Sequence, residues 1–137
     1  MSASYAEHLK GVAAFLVRQQ SLRVKRLSEN TGEKSRRKIT SMFYHDLEFR
    51  EGVATKIAGS DGFADKIYKT LKELGSSDEV CVLSTWVEPG DALQSLSSAL
   101  DKVVGREGGT VISCKAGRLA FWESDDMNLR YVLRATS

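Results

Sequence analysis

A chain of 137 residues, 42% apolar and 28% charged, has the length and mixture of an average globular domain and is too apolar to be disordered throughout. No apolar run reaches the ~18 residues that a membrane span requires, and the N-terminal segment, cut by Lys10 and Arg18 and preceded by Glu7, lacks the charge order of a secretory signal. The formal net charge of +2 hides an uneven distribution, because residues 10–38 hold nine Lys or Arg against two Glu while the remainder is net acidic. The expectation is one domain over residues 1–137, cytoplasmic and away from membranes.

In chain order, Ser4 and Glu7 stand at capping-box spacing, where each side chain can satisfy a backbone N–H of the first turn. Tyr5, Leu9, Val12 and Leu16 follow at helical intervals, which predicts a long helix over about 4–27. Phe15 and Leu22 fall to one side of that stripe, and Ala13, Val17 and Val24 to the other. Such a helix needs contacts on several faces, inside the domain or with a second copy of the chain, so a homo-oligomer through this helix is expected. Residues 28–39 read as a basic loop, since Ser28 to Ser35 contains no apolar residue and includes the helix-ending Asn30 and Gly32.

An α+β core is expected over about 40–137. Residues 40–58 are ambiguous: Met42, Phe49, Val53 and Ile57 fit a helix, whereas Phe43, His45, Leu47 and Phe49 alternate as in a strand. The length of the run without a turn signal favours helix. A clearer helix follows Ser60 and Asp61, with Phe63, Ile67, Leu71 and Leu74 on one face and Gly75 as its stop. "EVCVLSTW" is a central strand. Asp91 and Gln94 then look like a second capping box, opening a helix with Leu93, Leu96, Leu100 and Val103 inward and Gly105 at its end. "TVISC", "RLAFWE" and "LRYVLRA" complete the order α-α-α-β-α-β-β-β. The architecture predicted is a helical N-terminal half packed on a small four-stranded mixed sheet, with a right-handed crossover if its strands are parallel neighbours.

Chemistry is sparse. Cys81 and Cys114 sit in apolar strands, where burial disfavours the reactive thiolate, and read as reduced core thiols. His8 and His45 are too few for a zinc site, even with Asp46 and Glu48 beside His45. No catalytic residue, metal or cofactor is assigned. "GREGG", Gly105 to Gly109, follows a helix instead of preceding one and so presents the wrong dipole end for phosphate.

Three surfaces remain. Arg18, Lys25, Arg26, Lys34, Arg36, Arg37 and Lys38 form a basic helix and loop suited to an acidic protein, a second copy or a nucleic-acid backbone. Strand alternation places Arg118, Trp122, Arg130 and Arg134, with Val132, on one outward sheet face, a composition typical of interaction surfaces. The stretch Ser84–Asp91 leaves the end of a strand where ligands bind in open sheets. The function expected is a non-enzymatic binding or accessory protein; the alternative is a small enzyme or ligand-binding protein with a pocket near Ser84–Asp91.

Overall fold

The computed structural model describes residues 3–30, 32–44, 46–126 and 129–135. His45, considered above with Asp46 and Glu48, lies outside them. The N-terminal part contains α1 (Tyr5–Gly11), a 3-10 turn over Val12–Phe15, α2 (Arg18–Ser28) and α3 (Glu33–Ser41). Then come β1 (Ala54–Lys56), α4 (Ala64–Glu73), β2 (Glu79–Leu83), β3 (Leu93–Ser95), α5 (Leu96–Val103), β4 (Thr110–Lys115), β5 (Leu119–Glu123) and β6 (Arg130–Arg134). Among the described residues the strands form one sheet in the order β1-β6-β5-β4-β2-β3, and each neighbouring pair is antiparallel. The protein is α+β, with its helices concentrated towards the N-terminus.

Successive strand residues point to opposite faces, and here both faces are apolar. In β2, Cys81 and Leu83 join a core with Leu9, Val12, Phe15, Leu16 and Phe43 from the N-terminal helical layer. Val80 and Val82 join a second core with Ile67 and Leu71 of α4 and Leu96, Leu100 and Val103 of α5. The sheet is thus sandwiched, and the short uninterrupted apolar runs of β2, β4 and β5 follow from burial on both sides. Each fully buried Leu, Ile or Phe contributes roughly 1.5–3 kcal/mol.

The expected long first helix is divided. Leu16 leaves helical geometry at φ −101° and ψ 154° and bridges Phe49. The Val17 N–H donates to Glu48 O at 2.9 Å, and the Arg50 N–H donates to Phe15 O at 3.0 Å. A tertiary partner supplies the backbone hydrogen bonds that helix continuation would have made. Ala13, Phe15 and Val24 on the flanking faces are buried within the chain itself, whereas Val17 is half-buried and Leu22 stays exposed.

Other expectations change as well. Most of the basic loop is helical, because α3 starts after Gly32 and the Lys- and Arg-rich turns that follow are good helix formers. Among the described residues of 40–58, Thr40 and Ser41 end α3, and turns and extended stretches then lead to β1, so the favoured helix there is corrected. The Asp91–Gln94 capping box does not form: Leu93–Ser95 pair with Glu79–Cys81 as β3, and Ser95 Oγ caps α5 by accepting from Ser98 N at 3.2 Å. The sheet has six strands instead of four and is not mixed; β2 and β4 are antiparallel neighbours, so no parallel crossover exists between them. The two additions, β1 and β3, are three-residue edge strands that carry too little alternation to be visible in sequence.

Two contacts position the N-terminal layer on the sheet. Gly117 adopts φ +73° in the β4–β5 turn, a conformation glycine takes without penalty. Gly11, at the end of α1, rests against that turn so closely that a Cβ would fall 2.5 Å from Gly117 N. On β4 itself, the imidazole of buried His8 lies with Nδ1 2.6 Å from Ser113 Oγ. Burial lowers the pKa of His8 from its ordinary value, against the opposing charges of Glu7 and Glu79.

The two cysteines lie in different cores, Cys81 facing the N-terminal helices and Cys114 facing α4 and α5. The sheet separates their side chains. Desolvation pushes both thiols up to about 12.

Candidate functional site

The basic stretch forms a surface carried by α2 and α3. On α2, Arg18, Lys25 and Arg26 are exposed; on α3, Lys34, Arg37 and Lys38 are exposed. The helical geometry explains the division of labour inside α3. Ile39 and Thr40 are buried, and Arg36, one turn earlier, is drawn inward with them. Its guanidinium lies 3.7 Å from Glu88, and Arg36 lines a small space together with Tyr5. Arg36 therefore ties α3 to the segment after β2 and lies beside Tyr5 of α1. Burial, followed by the Cys81 thiol, raises the Tyr5 hydroxyl pKa, and Arg36 opposes that rise.

Arg37 pairs with Glu33 at 2.9 Å, one turn away on the same helix. Arg18, Arg23, Lys25, Arg26, Lys34 and Lys38 form no ion pair among the described residues. An open groove of about 600 Å³ is lined by residues of both helices, Arg23, Arg37 and Lys38 among them, and also by Asp46 and Glu48. The largest exposed apolar side chain on this surface is Leu22, 49% accessible. It occupies α2 between Arg18 and Arg26, one helical turn from each.

The Ser84–Asp91 segment is held closely against the N-terminal layer. Tyr44 Oη lies 2.6 Å from Thr85 Oγ1, and Ser84 Oγ accepts from Trp86 N at 3.3 Å. Pro89–Asp91 form a 3-10 turn. The space left among Tyr5, Arg36, Ser84, Thr85 and Glu88 is about 10 Å³, about one water's worth. The segment faces the basic surface through the Arg36–Glu88 pair but encloses no chamber of substrate size there.

The outward sheet face corrects an expectation. Directly opposed residues in an antiparallel pair share a face, and the register opposes Trp122 to Tyr131 and Glu123 to Arg130. Trp122 therefore faces the N-terminal layer while Arg130 faces the α5 side. Trp122 is buried, its indole N–H donates to Phe43 O, and its ring meets Phe49 edge-on and stacks on Tyr131 with centroids 5.3 Å apart in both cases. Arg130 donates through Nε to the fully buried Glu123 at 2.8 Å, and the same carboxylate accepts from Gly105 N at 3.1 Å. The glycine-rich turn after α5 thus closes a buried ion pair. Val132 is buried too. Arg118 and Arg134 are exposed and belong to a different feature, a cavity at the end of the sheet that they share with Arg50 and Lys115. Arg50 and Lys115 were not singled out from the sequence; only the fold brings residues 50, 115, 118 and 134 together.

Among the described residues no three His, Cys, Asp or Glu converge as a metal cluster, and no helix is long and apolar enough to cross a membrane. The site is defined by exposed cations on two packed helices, most of them without an ion pair among the described residues. Compared with family models, with curated proteins and with solved structures, the chain matches none.

Proposed function

We propose that this protein is a non-enzymatic binding protein whose α2–α3 surface engages the phosphate backbone of nucleic acid without reading its sequence. The observation that supports this most is the set of six cations, Arg18, Arg23, Lys25, Arg26, Lys34 and Lys38, without an ion pair among the described residues. If these charges served only to balance the acidic remainder of the chain, more of them would meet carboxylates. A protein interface normally has an apolar core, and this surface offers Leu22 alone as a large exposed apolar side chain. Phosphate contacts need cations and no such core. With no aromatic ring beside the cations, stacking on bases is not part of the proposal.

The test is titration of labelled single- and double-stranded oligonucleotides at low and moderate salt, comparing the protein with a Lys25→Ala, Lys34→Ala, Lys38→Ala variant. All three side chains are exposed, so folding should be unaffected. Each lost contact to duplex phosphate reduces the slope of log K against log salt by ~0.9, so the triple variant should lose about 3 units. No binding at low salt, or equal slopes for the two proteins, would overturn the proposal. Binding of an acidic protein segment around Leu22 in place of nucleic acid would do so as well.

A further inference from the structure

We infer that the cavity at the end of the sheet is a binding site for a compact anion carrying two or more phosphate groups. The cavity measures about 540 Å³ and is bordered by Arg50, Lys115, Arg118 and Arg134, with Ala14 and Leu74 also in its lining and no carboxylate among its lining residues. That volume falls within the range of small-molecule sites. Four basic residues bordering one open pocket, with apolar residues beside them, raise the local concentration of anions.

Each wall has an identifiable origin. The β4–β5 turn, closed by the Arg118 N–H donating to Lys115 O at 2.9 Å, carries two of the cations, and the Ala135 N–H donating to Arg118 O at 3.0 Å brings the end of β6 alongside. Arg134 is paired in register with Leu119. Arg50 arrives from the segment that interrupts the first helix. Its Nε donates to Leu16 O at 2.6 Å and its Nη2 to Ser21 Oγ at 3.5 Å, so the guanidinium is held in place before any ligand enters. Such preorganisation lowers the entropy lost on binding.

Two of the cations contribute to the fold as well. Arg50 makes the bonds just described, and Lys115 Nζ reaches the end of α4, 4.0 Å from where a Cβ on Gly75 would stand, a position in which a cation suits the carbonyl end of a helix. Arg118 and Arg134 have no ion pair among the described residues, and gathering like charges has a stability cost. A multiply charged anion offsets that repulsion. Arginine suits it because the planar guanidinium donates two parallel N–H bonds to phosphate. No aromatic side chain lines the cavity, so the phosphate groups, and not a stacked ring, would determine affinity.

The site is independent of the α2–α3 surface, and the experiment separates the two. Inorganic pyrophosphate and tripolyphosphate are titrated calorimetrically at low salt into the full chain, into an Arg118→Ala, Arg134→Ala variant and into the Lys25→Ala, Lys34→Ala, Lys38→Ala variant. The expected result is one site per chain, at least tenfold weaker in the Arg118/Arg134 variant, unchanged in the lysine variant and weaker for orthophosphate. Because both arginines are exposed, an unchanged thermal midpoint would show that the loss is not unfolding; if that double variant fails to fold, Arg134→Gln alone serves. Absence of binding to the unsubstituted protein, or equal binding after removal of the arginines, would overturn the inference. Loss of pyrophosphate binding in the lysine variant alone would also do so.

Discussion

Replacing Arg130 with Met should make the stability of this protein strongly dependent on pH. In the native state the Glu123 carboxylate is fully buried and accepts from two donors, Arg130 Nε at 2.8 Å and Gly105 N at 3.1 Å. Burial raises its pKa above the usual carboxylate value, while the Arg130 hydrogen bond and charge and the Gly105 N–H pull it down. Arg130→Met keeps most of the side-chain volume and removes the charge and the main donor. An uncompensated buried carboxylate remains, at a cost of roughly 3–5 kcal/mol when it is ionised. An acid with a raised native pKa contributes stability that is fully present below the unfolded value and is lost as pH rises through the native value. The variant, with a further raised pKa, should lose those ~3–5 kcal/mol at pH 7.5 and regain a good part of them at pH 5. Urea unfolding at both pH values measures this, and a Glu123→Gln, Arg130→Met double variant should lack the dependence. A loss below about 1 kcal/mol at pH 7.5, or the same loss at both pH values, would refute the assignment of Glu123 as a charge neutralised mainly by Arg130.

His8 should act in the opposite direction. Its native pKa is lowered by burial, so the stability it contributes is present above the unfolded value of ~6.5 and is lost as pH falls through the native one. Subtracting the unfolding free energy of His8→Gln from that of the unsubstituted protein between pH 7.5 and 5.5 should give a difference that declines with acidification; a flat difference would show that His8 does not titrate on unfolding. For the cysteines, both fully buried with thiols near 12, a thiol reagent at pH 8 should label neither until urea unfolds the chain, and then both. Labelling at a rate independent of urea would contradict their placement inside the two cores.

The parts of this fold that sequence made visible are those whose signals are local. The Ser4–Glu7 capping box forms, Ile67 and Leu71 line the buried face of α4 with Gly75 at its end in φ +101°, and the β4–β5 hairpin turns at Ala116–Gly117. Features set by distant partners were hidden. Nothing near Leu16 breaks a helix in sequence; Phe49 does so from outside. Asp91 and Gln94 imitate a cap because they have the right spacing, but pairing with β2 claims the following residues. The face error in β5 and β6 has the same origin: Tyr131 opposes Trp122 in the folded register, and either assignment of faces satisfies alternation alone. Of the α2–α3 surface, the exposed cations were legible as a charge run, whereas the inward turn of Arg36 depends on the distant Glu88. The cavity at the sheet end was half visible, through Arg118 and Arg134.

The two edges of the sheet have a consequence for the protein in concentrated solution. Each is a strand of three residues, Ala54–Lys56 and Leu93–Ser95, so few backbone N–H and C=O groups are left facing outward at either end. A stacking intruder would find little template on which to add a strand, and Lys56 would oppose it at one edge. Shortness at the margins thus limits strand addition to a sheet with two greasy faces: its apolar surface is covered by helices above and below, and each edge offers only three residues for pairing.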